Sequence, residues 1–326
     1  VVVPPQSGVD FGVVDIGGGR VLAVTTDPVF IVPEYGWERA AWFAIHILLS
    51  DVCTSGLAPT HLTIDLNLPP QMDENALSVV WETIHRECET FGVAVVTGHT
   101  ARYHGCDYPM VGGATALAVG DANRYVTPAM ARPGDRVLVT KGPAIEAAGL
   151  FAVTFPSRVA QALGADFARQ SEALFWQMSV VKDALTAASV GVRDDGVSAM
   201  HDATECGLWG GLVEVAQASR VGMRVDRSAI PVREDVRRLC DLFEIDPFSS
   251  ISEGTLVLTC RPHKVGAVLE ALADAEVHAA EIGEVVDGET GVRLLEDGRW
   301  RRLEHPRLDP FWNAFARARE MASACS

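Results

Sequence analysis

Apolar positions alternate with polar ones in some stretches of the chain and recur at helical spacing in others. Phe11 to Ile16, the run Gly17-Gly18-Gly19 and Arg20 to Thr26 predict strand, turn and strand. Glu38 to Ser50 predicts an apolar helix, with Gly56 and Pro59 marking its exit. His61 to Leu68 alternates as a strand. Asn75 to Phe91 places Leu77, Val80, Trp81 and Ile84 on one helical stripe. Val93 to Thr97 and Met110 to Val119 predict two more strands. The segment Asp121 to Asp135, with Pro128, Pro133 and Gly134, is the best candidate boundary.

The pattern then restarts. Arg136 to Thr140 predicts a strand, and helices follow from Ile145 to about Ala188. Another helix is expected from about Leu208 to Ala218, a strand over Thr255 to Cys260, a helix over Lys264 to Ala273 and a closing strand over Ala279 to Val286. Both halves mix helix and strand, which predicts an α+β protein of two domains, 1–125 and 126–300, with an extension over 301–326.

Composition narrows the function. The chain has 326 residues and is 48% hydrophobic but only 7% aromatic, so its core must be built mainly from Val, Ala, Leu and Ile. A formal net charge of −16 repels nucleic-acid phosphates and argues against a non-specific nucleic-acid binder. The same charge repels ATP, so a nucleotide site here needs metal ions, backbone N–H groups or a few basic side chains. The seven cysteines are odd in number and form no CxxC pair, which reads as reduced thiols in the cytoplasm. Val1-Val2-Val3-Pro4-Pro5 is unlike a signal peptide, and the apolar stretch from Trp42 to Leu49 is too short to span a membrane, so a soluble protein is expected.

Three aspartates stand at the edges of regular elements. Asp10 precedes the first strand, Asp27 ends the second, and Asp51 lies near the C-terminus of an apolar helix. A carboxylate there opposes the helix dipole and needs compensation. A hard cation such as Mg²⁺ supplies it, taking oxygens from one or two carboxylates plus substrate phosphates. Turn capping is the plainer alternative for Asp10 and Asp27. Neither GxxxxGK[ST] nor GxGxxG occurs. A second cluster is His201-Asp202-Ala203-Thr204-Glu205-Cys206-Gly207, entering a helix that Thr204 or Asp202 could cap and whose N-terminus could then face an anion. Glu205 beside Cys206 disfavours a thiolate nucleophile. Glu253-Gly254 offers one more carboxylate.

The order of these pieces resembles the aminoimidazole ribonucleotide synthetase (PurM-like) superfamily, and within it the hydrogenase maturation proteins of the HypE type, over residues 9 to about 290. Thr25-Thr26-Asp27 looks like the family's opening, and Ser50-Asp51-Val52-Cys53-Thr54-Ser55-Gly56-Leu57-Ala58-Pro59 like its first helix end. Val96-Thr97-Gly98-His99-Thr100 is similar to V-x-G-D-T, with His99 in place of Asp and Ala101 where a Lys usually follows. Ala131-Arg132-Pro133-Gly134-Asp135, Met200-His201-Asp202-Ala203-Thr204-Glu205-Cys206-Gly207-Leu208, Ser252-Glu253-Gly254 and Ile282-Gly283-Glu284-Val285 continue the resemblance in order.

The resemblance implies a PurM-like homodimer. Its N-terminal domain would contribute strands to an intersubunit β-barrel, and its C-terminal domain would be an α/β sandwich. It further implies ATP and Mg²⁺ in a cleft near the dimer interface. Asp10, Asp27 and Asp51 would be the metal and phosphate carboxylates, joined in the nucleotide site by His99, Thr100, Lys141 and Asp202. His201, Glu253 and Cys325 would be catalytic. Proteins of the HypE type end in Pro-Arg-Ile-Cys, whereas this chain ends Ala322-Ser323-Ala324-Cys325-Ser326. Three activities stay open. One is a HypE-type enzyme that phosphorylates a carbonyl oxygen of a carbamoylated thiol, working with a maturation partner protein. The second is a small-molecule kinase resembling thiamine-monophosphate kinase, and the third a non-catalytic nucleotide- or partner-binding paralogue.

Overall fold

The computed structural model describes residues 1–324. The chain forms two compact units, Val1–Pro5 with Asp10–Tyr125, and Gln6–Val9 with Val126 onward. No helix among the described residues is long and apolar enough to cross a membrane.

The first unit contains β1 (Gly12–Gly17), β2 (Arg20–Asp27), β3 (Phe30–Ile31), α1 (Trp37–Cys53), β4 (His61–Leu68), α2 (Glu74–Thr90), β5 (Ala94–Arg102), β6 (Met110–Val111) and β7 (Gly113–Asp121). Its main sheet has the order β1-β2-β7-β4-β5, antiparallel except for the β4–β5 pair, which α2 connects. Alternation decides which face is covered. Val21, Ala23, Leu62, Ile64, Leu66, Ala114, Ala116 and Ala118 are buried, together with Ala41, Ile45, Leu48 and Leu49 of α1. Leu22, Val24, Leu117 and Val119, on the opposite face, are only half-buried. β5 is a sheet edge, exposed over nearly its whole length. It runs to Arg102, well past the expected end at Thr97, because its parallel pairing with β4 continues to Leu68. The strand expected from Met110 to Val119 is broken at Gly112, with β6 pairing to β3 and β7 to β2. Among the described residues no closed barrel forms.

The second unit contains β8 (Arg136–Thr140), α3 (Ile145–Thr154), α4 (Pro156–Leu163), α5 (Ala165–Ser171), α6 (Val181–Val190), β9 (Val197–Asp202), α7 (Gly207–Ser219), β10 (Gly222–Asp226), α8 (Glu234–Phe243), β11 (Leu256–Cys260), α9 (Val265–Asp274), β12 (Ala279–Val286), β13 (Val292–Glu296), β14 (Arg299–Arg302) and α10 (Pro310–Ala324). Its sheet order is β14-β13-β10-β12-β8-β11-β9, and only the β10–β13 pair is parallel. β9 and β11 are buried on both faces; β11 is largely apolar, whereas β9 carries Ser198, His201 and Asp202 into the interior. α7 packs Leu208, Leu212 and Val215 into a core with Val137, Val139, Val257 and Ile282. α10 is anchored through Phe311, whose ring lies 5.0 Å from that of Phe151, and Phe315, whose ring lies 5.3 Å from that of Phe155.

Candidate functional site

In the first unit, β2 and α1 bring two of the three aspartates to one place. Thr25 Oγ1 lies 2.9 Å from the Asp10 carbonyl oxygen and 3.1 Å from Asp51 Oδ2. Thr54, which follows α1, lies 3.3 Å from Asp10 Oδ2 and donates to the Asp51 carbonyl at 2.6 Å. These hydroxyls supply the compensation that Asp51 needs at its helix end. Asp27 stands two residues beyond Thr25 and therefore on the same face of β2. Its Oδ2 is buried and makes no hydrogen bond. A buried carboxylate oxygen in that state is costly unless a cation meets it. Among the described residues no three acidic, His or Cys side chains are gathered into a metal cage. Mg²⁺ does not need one, because it keeps waters and substrate phosphates in its shell. The donor set, all carboxylate oxygen, suits that ion.

His99 and Thr100 lie exposed on edge strand β5, where His99 Nε2 is 3.0 Å from the Tyr103 hydroxyl. Lys141, in the second unit, holds its ammonium 2.9 Å from the buried Asp183 carboxylate and donates to the Ser179 carbonyl. That ion pair uses much of the charge the sequence offered to a phosphate.

The second unit gathers His201, Asp202 and Glu253, all buried. Antiparallel pairing sets Leu256 opposite Asp202 and Val257 opposite His201, and Ser252 N donates to the Thr204 carbonyl. The Glu253 turn therefore lies against the segment that follows β9. Gly254 is required there: its φ is +98°, and a Cβ would stand 2.3 Å from the Gln177 carbonyl oxygen. Cys325 lies outside the described residues.

α7 begins differently from the sequence expectation. Cys206 occupies the cap in the left-handed region, and no side chain caps the helix. The remote Asp309 instead accepts the Cys206 N–H at 2.8 Å. Gly207 N donates to the Thr204 carbonyl and Trp209 N to the Phe248 carbonyl, so these N–H groups are already used within the protein. Burial first, then Asp309, Glu205 and Glu214, push the Cys206 thiol up, which suits a structural role.

Three neighbouring carboxyls escaped the sequence reading. Glu146, in the first turn of α3, accepts the Glu253 N–H at 2.9 Å. Burial above all pushes its carboxyl up to about 8, partly opposed by that hydrogen bond, with Glu205, Asp202 and Asp309 adding to the rise. Asp309 is raised by burial despite donors at Phe311 and Cys206. Glu214 of α7 lies 2.9 Å from His201 Nε2. Burial pushes Glu214 up, but the hydrogen bond and charge of His201, with those of His305, hold it below the usual range. No short motif marks these positions, since only the folded sheet brings α3, α7 and residue 309 to one place.

Residues 8–122 match the N-terminal domain of AIR synthase related protein, and residues 132–295 match its C-terminal domain. The chain is 30% identical over 276 residues to the carbamoyl dehydratase HypE of Azotobacter vinelandii, covering 83% of this chain and 76% of the relative. It is similar to the solved structure of hydrogenase maturation protein HypE in complex with ATP, at 26% identity and a TM-score of 0.72, covering 92% of this chain and 89% of that one. A HypE–HypF complex shares the fold at 20% identity and a TM-score of 0.73, covering 91% of this chain and 93% of that one.

Proposed function

This chain belongs to the AIR synthase related protein family, and we propose that it is an ATP- and Mg²⁺-dependent enzyme of the HypE type. Its reaction would phosphorylate a carbonyl or carbamoyl oxygen so that this oxygen leaves as phosphate. The observation that carries the reading is the Asp10–Thr25–Asp51–Thr54 network beside Asp27, whose buried oxygen lacks a donor. Asp10, Asp27 and Asp51 would hold magnesium. When bound, the ion supplies charge neutralisation to the phosphoryl group being transferred. Thr25 and Thr54 keep two of the carboxylates in place, so the site is organised before ligand arrives.

His99 and Thr100 of β5, with Lys141 and Asp202, complete the proposed nucleotide set. His201 and Glu253 are assigned the proton handling, and Cys325 the thiol that carries the carbamoyl group. The half-buried apolar sheet face and the exposed edge β5, with Val96 54% exposed, suit a homodimer closed through strands into a barrel. A maturation protein of the kind bound in the HypE–HypF complex is the proposed partner. The cysteines described are all free thiols, in keeping with a cytoplasmic setting.

The test is calorimetry of ATP with and without magnesium, followed by phosphate release with a carbamoylated cysteine peptide as acceptor. Magnesium-dependent binding lost in Asp51→Asn, and turnover stimulated by the carbamoylated peptide, support the proposal. Absence of nucleotide binding overturns it, as does a phosphorylated small metabolite as the accumulating product.

A further inference from the structure

We propose that His201 and His305 form a coupled acid–base pair through the Glu214 carboxylate, making His305 a positioning residue that sets the protonation of His201. The proposal rests on the role assigned to His201 above, but its contacts lie wholly within the second unit. Glu214 presents one oxygen to each imidazole: Oε2 lies 2.9 Å from His201 Nε2, and Oε1 lies 3.4 Å from His305 Nε2. Side-chain exposure rises along the series, from 5% at His201 through 25% at Glu214 to 35% at His305. His305 also lines a groove of about 550 Å³ with Gln217, Arg220 and Arg302. The buried imidazole is thus linked by one carboxylate to a group that meets water.

The tautomers follow from the contacts. Glu214, held ionised, accepts the Nε2 proton of His201, which makes Nδ1 the basic nitrogen of the neutral ring. His305 Nδ1 donates to the Pro306 carbonyl at 2.6 Å, so its Nε2 attracts Glu214 only when that nitrogen also carries a proton. A protonated His305 then shares the carboxylate with His201 and weakens its hold on a second proton there. Sites that interact this way titrate as a pair.

Residue 305 is held in place by the anchoring of residues 306–312. Asp309 takes the Cys206 N–H, the Pro306 carbonyl takes the Cys206 thiol, and Trp312 Nε1 donates to Glu205 Oε2 at 3.3 Å. The segment after β14, outside both matched family domains, therefore docks on the stretch after His201. The charged and titratable groups around the pair are Asp202 next to His201, Glu146 of α3, Glu205 and Cys206 ahead of α7, Asp309 ahead of α10, and Glu304, Arg302 and Arg220 at the groove. Across from His201, β11 offers Val257 and α7 offers Gly211, neither charged, and Gly8 against Glu214 adds no charge.

The test is a histidine ring NMR titration of the full chain without nucleotide, in wild type, His305→Gln, Glu214→Gln and His201→Gln. Glutamine at 305 keeps a donor for Glu214 and removes the cation. His305→Gln should raise the His201 midpoint by roughly half a pH unit or more, and His201→Gln should raise that of His305 equally, because coupling is reciprocal. Glu214→Gln should lower the His201 midpoint and abolish the coupling. A His201 midpoint unmoved in His305→Gln, with the fold intact by amide spectra, overturns the proposal. These midpoints read the pair whether or not ATP is turned over, so failure of the enzymatic reading registers separately. If turnover is present, its pH profile should move with the His201 midpoint in His305→Gln.

Discussion

Thr25 Oγ1 stands 3.1 Å from Asp51 Oδ2, joining the second strand to the end of the first long helix. The same hydroxyl is 2.9 Å from the Asp10 carbonyl, so one side chain fixes two of the three acidic positions. Thr25→Val should cost about 1 kcal/mol of stability, the usual net worth of a hydrogen bond. It should also weaken ATP–magnesium binding about tenfold by calorimetry, because Asp51 loses its orientation. Thr25→Ser should restore most of both.

Asp27 predicts the opposite pattern. Its buried Oδ2 has no donor, so charge at this position is a burden on the fold without a cation. Asp27→Asn should leave the melting temperature without magnesium unchanged or higher, while raising the magnesium concentration for half-maximal ATP turnover by about tenfold or more. A lowered melting temperature with unchanged magnesium dependence would show that Asp27 serves the fold alone.

Two carboxyls give stability a pH dependence of opposite sign. Glu146 is raised from 4.5 to about 8 by burial, so the folded protein holds a proton that the unfolded chain loses. That contribution is complete below pH 4.5 and is lost as pH rises towards 8, with a total on the order of a few kcal/mol. Glu214 is depressed once its two histidines outweigh burial, so its contribution is present above 4.5 and lost as pH falls through its folded value. Denaturant midpoints measured from pH 4.5 to 8 should therefore decline, and Glu146→Gln should flatten the decline while keeping an acceptor for Glu253 N–H.

Gly207 starts α7 at a φ of +56°, and a Cβ there would lie 2.3 Å from the Ser250 carbonyl oxygen. Gly207→Ala should cost at least about 2–3 kcal/mol, from strain and the forced shift of backbone. Chemical denaturation measures it. Ring signals of His201 should shift as well, because the loop it precedes is displaced.

The homodimer proposal predicts that charge on the exposed edge strand dissociates the protein. Val96→Lys should give a monomer by analytical ultracentrifugation, with a far-ultraviolet spectrum like that of wild type. A wild-type monomer at micromolar concentration would remove the barrel proposal.

Hydrophobic spacing alone located α1, α2, β2 and β4 to within a few residues: α2 and β4 each leave one face polar, while α1 and β2 are apolar runs ended by turn residues. Strands β9 and β10 went unseen because neither carries a run of strand-forming side chains: Val197–Asp202 places Ser198, His201 and Asp202 in a strand buried on both sides, and Gly222–Asp226 opens on Gly and has Val225 as its one β-branched residue. Asp10, Asp27, Asp51, His201 and Glu253 stood out in the sequence because they sit where regular elements end, in an order that resembled a family. Glu146, Glu214, His305 and Asp309 did not, for a physical reason. Each acts on a group far from it in sequence or one helix away, and neither propensity nor charge marks such a partner. The sequence by itself determined many of the elements, the acidic surface and the main acidic positions. Only the tertiary structure decided which carboxylates share a donor and which imidazoles share a carboxylate, because those contacts depend on sheet register and helix docking, not on spacing along the chain.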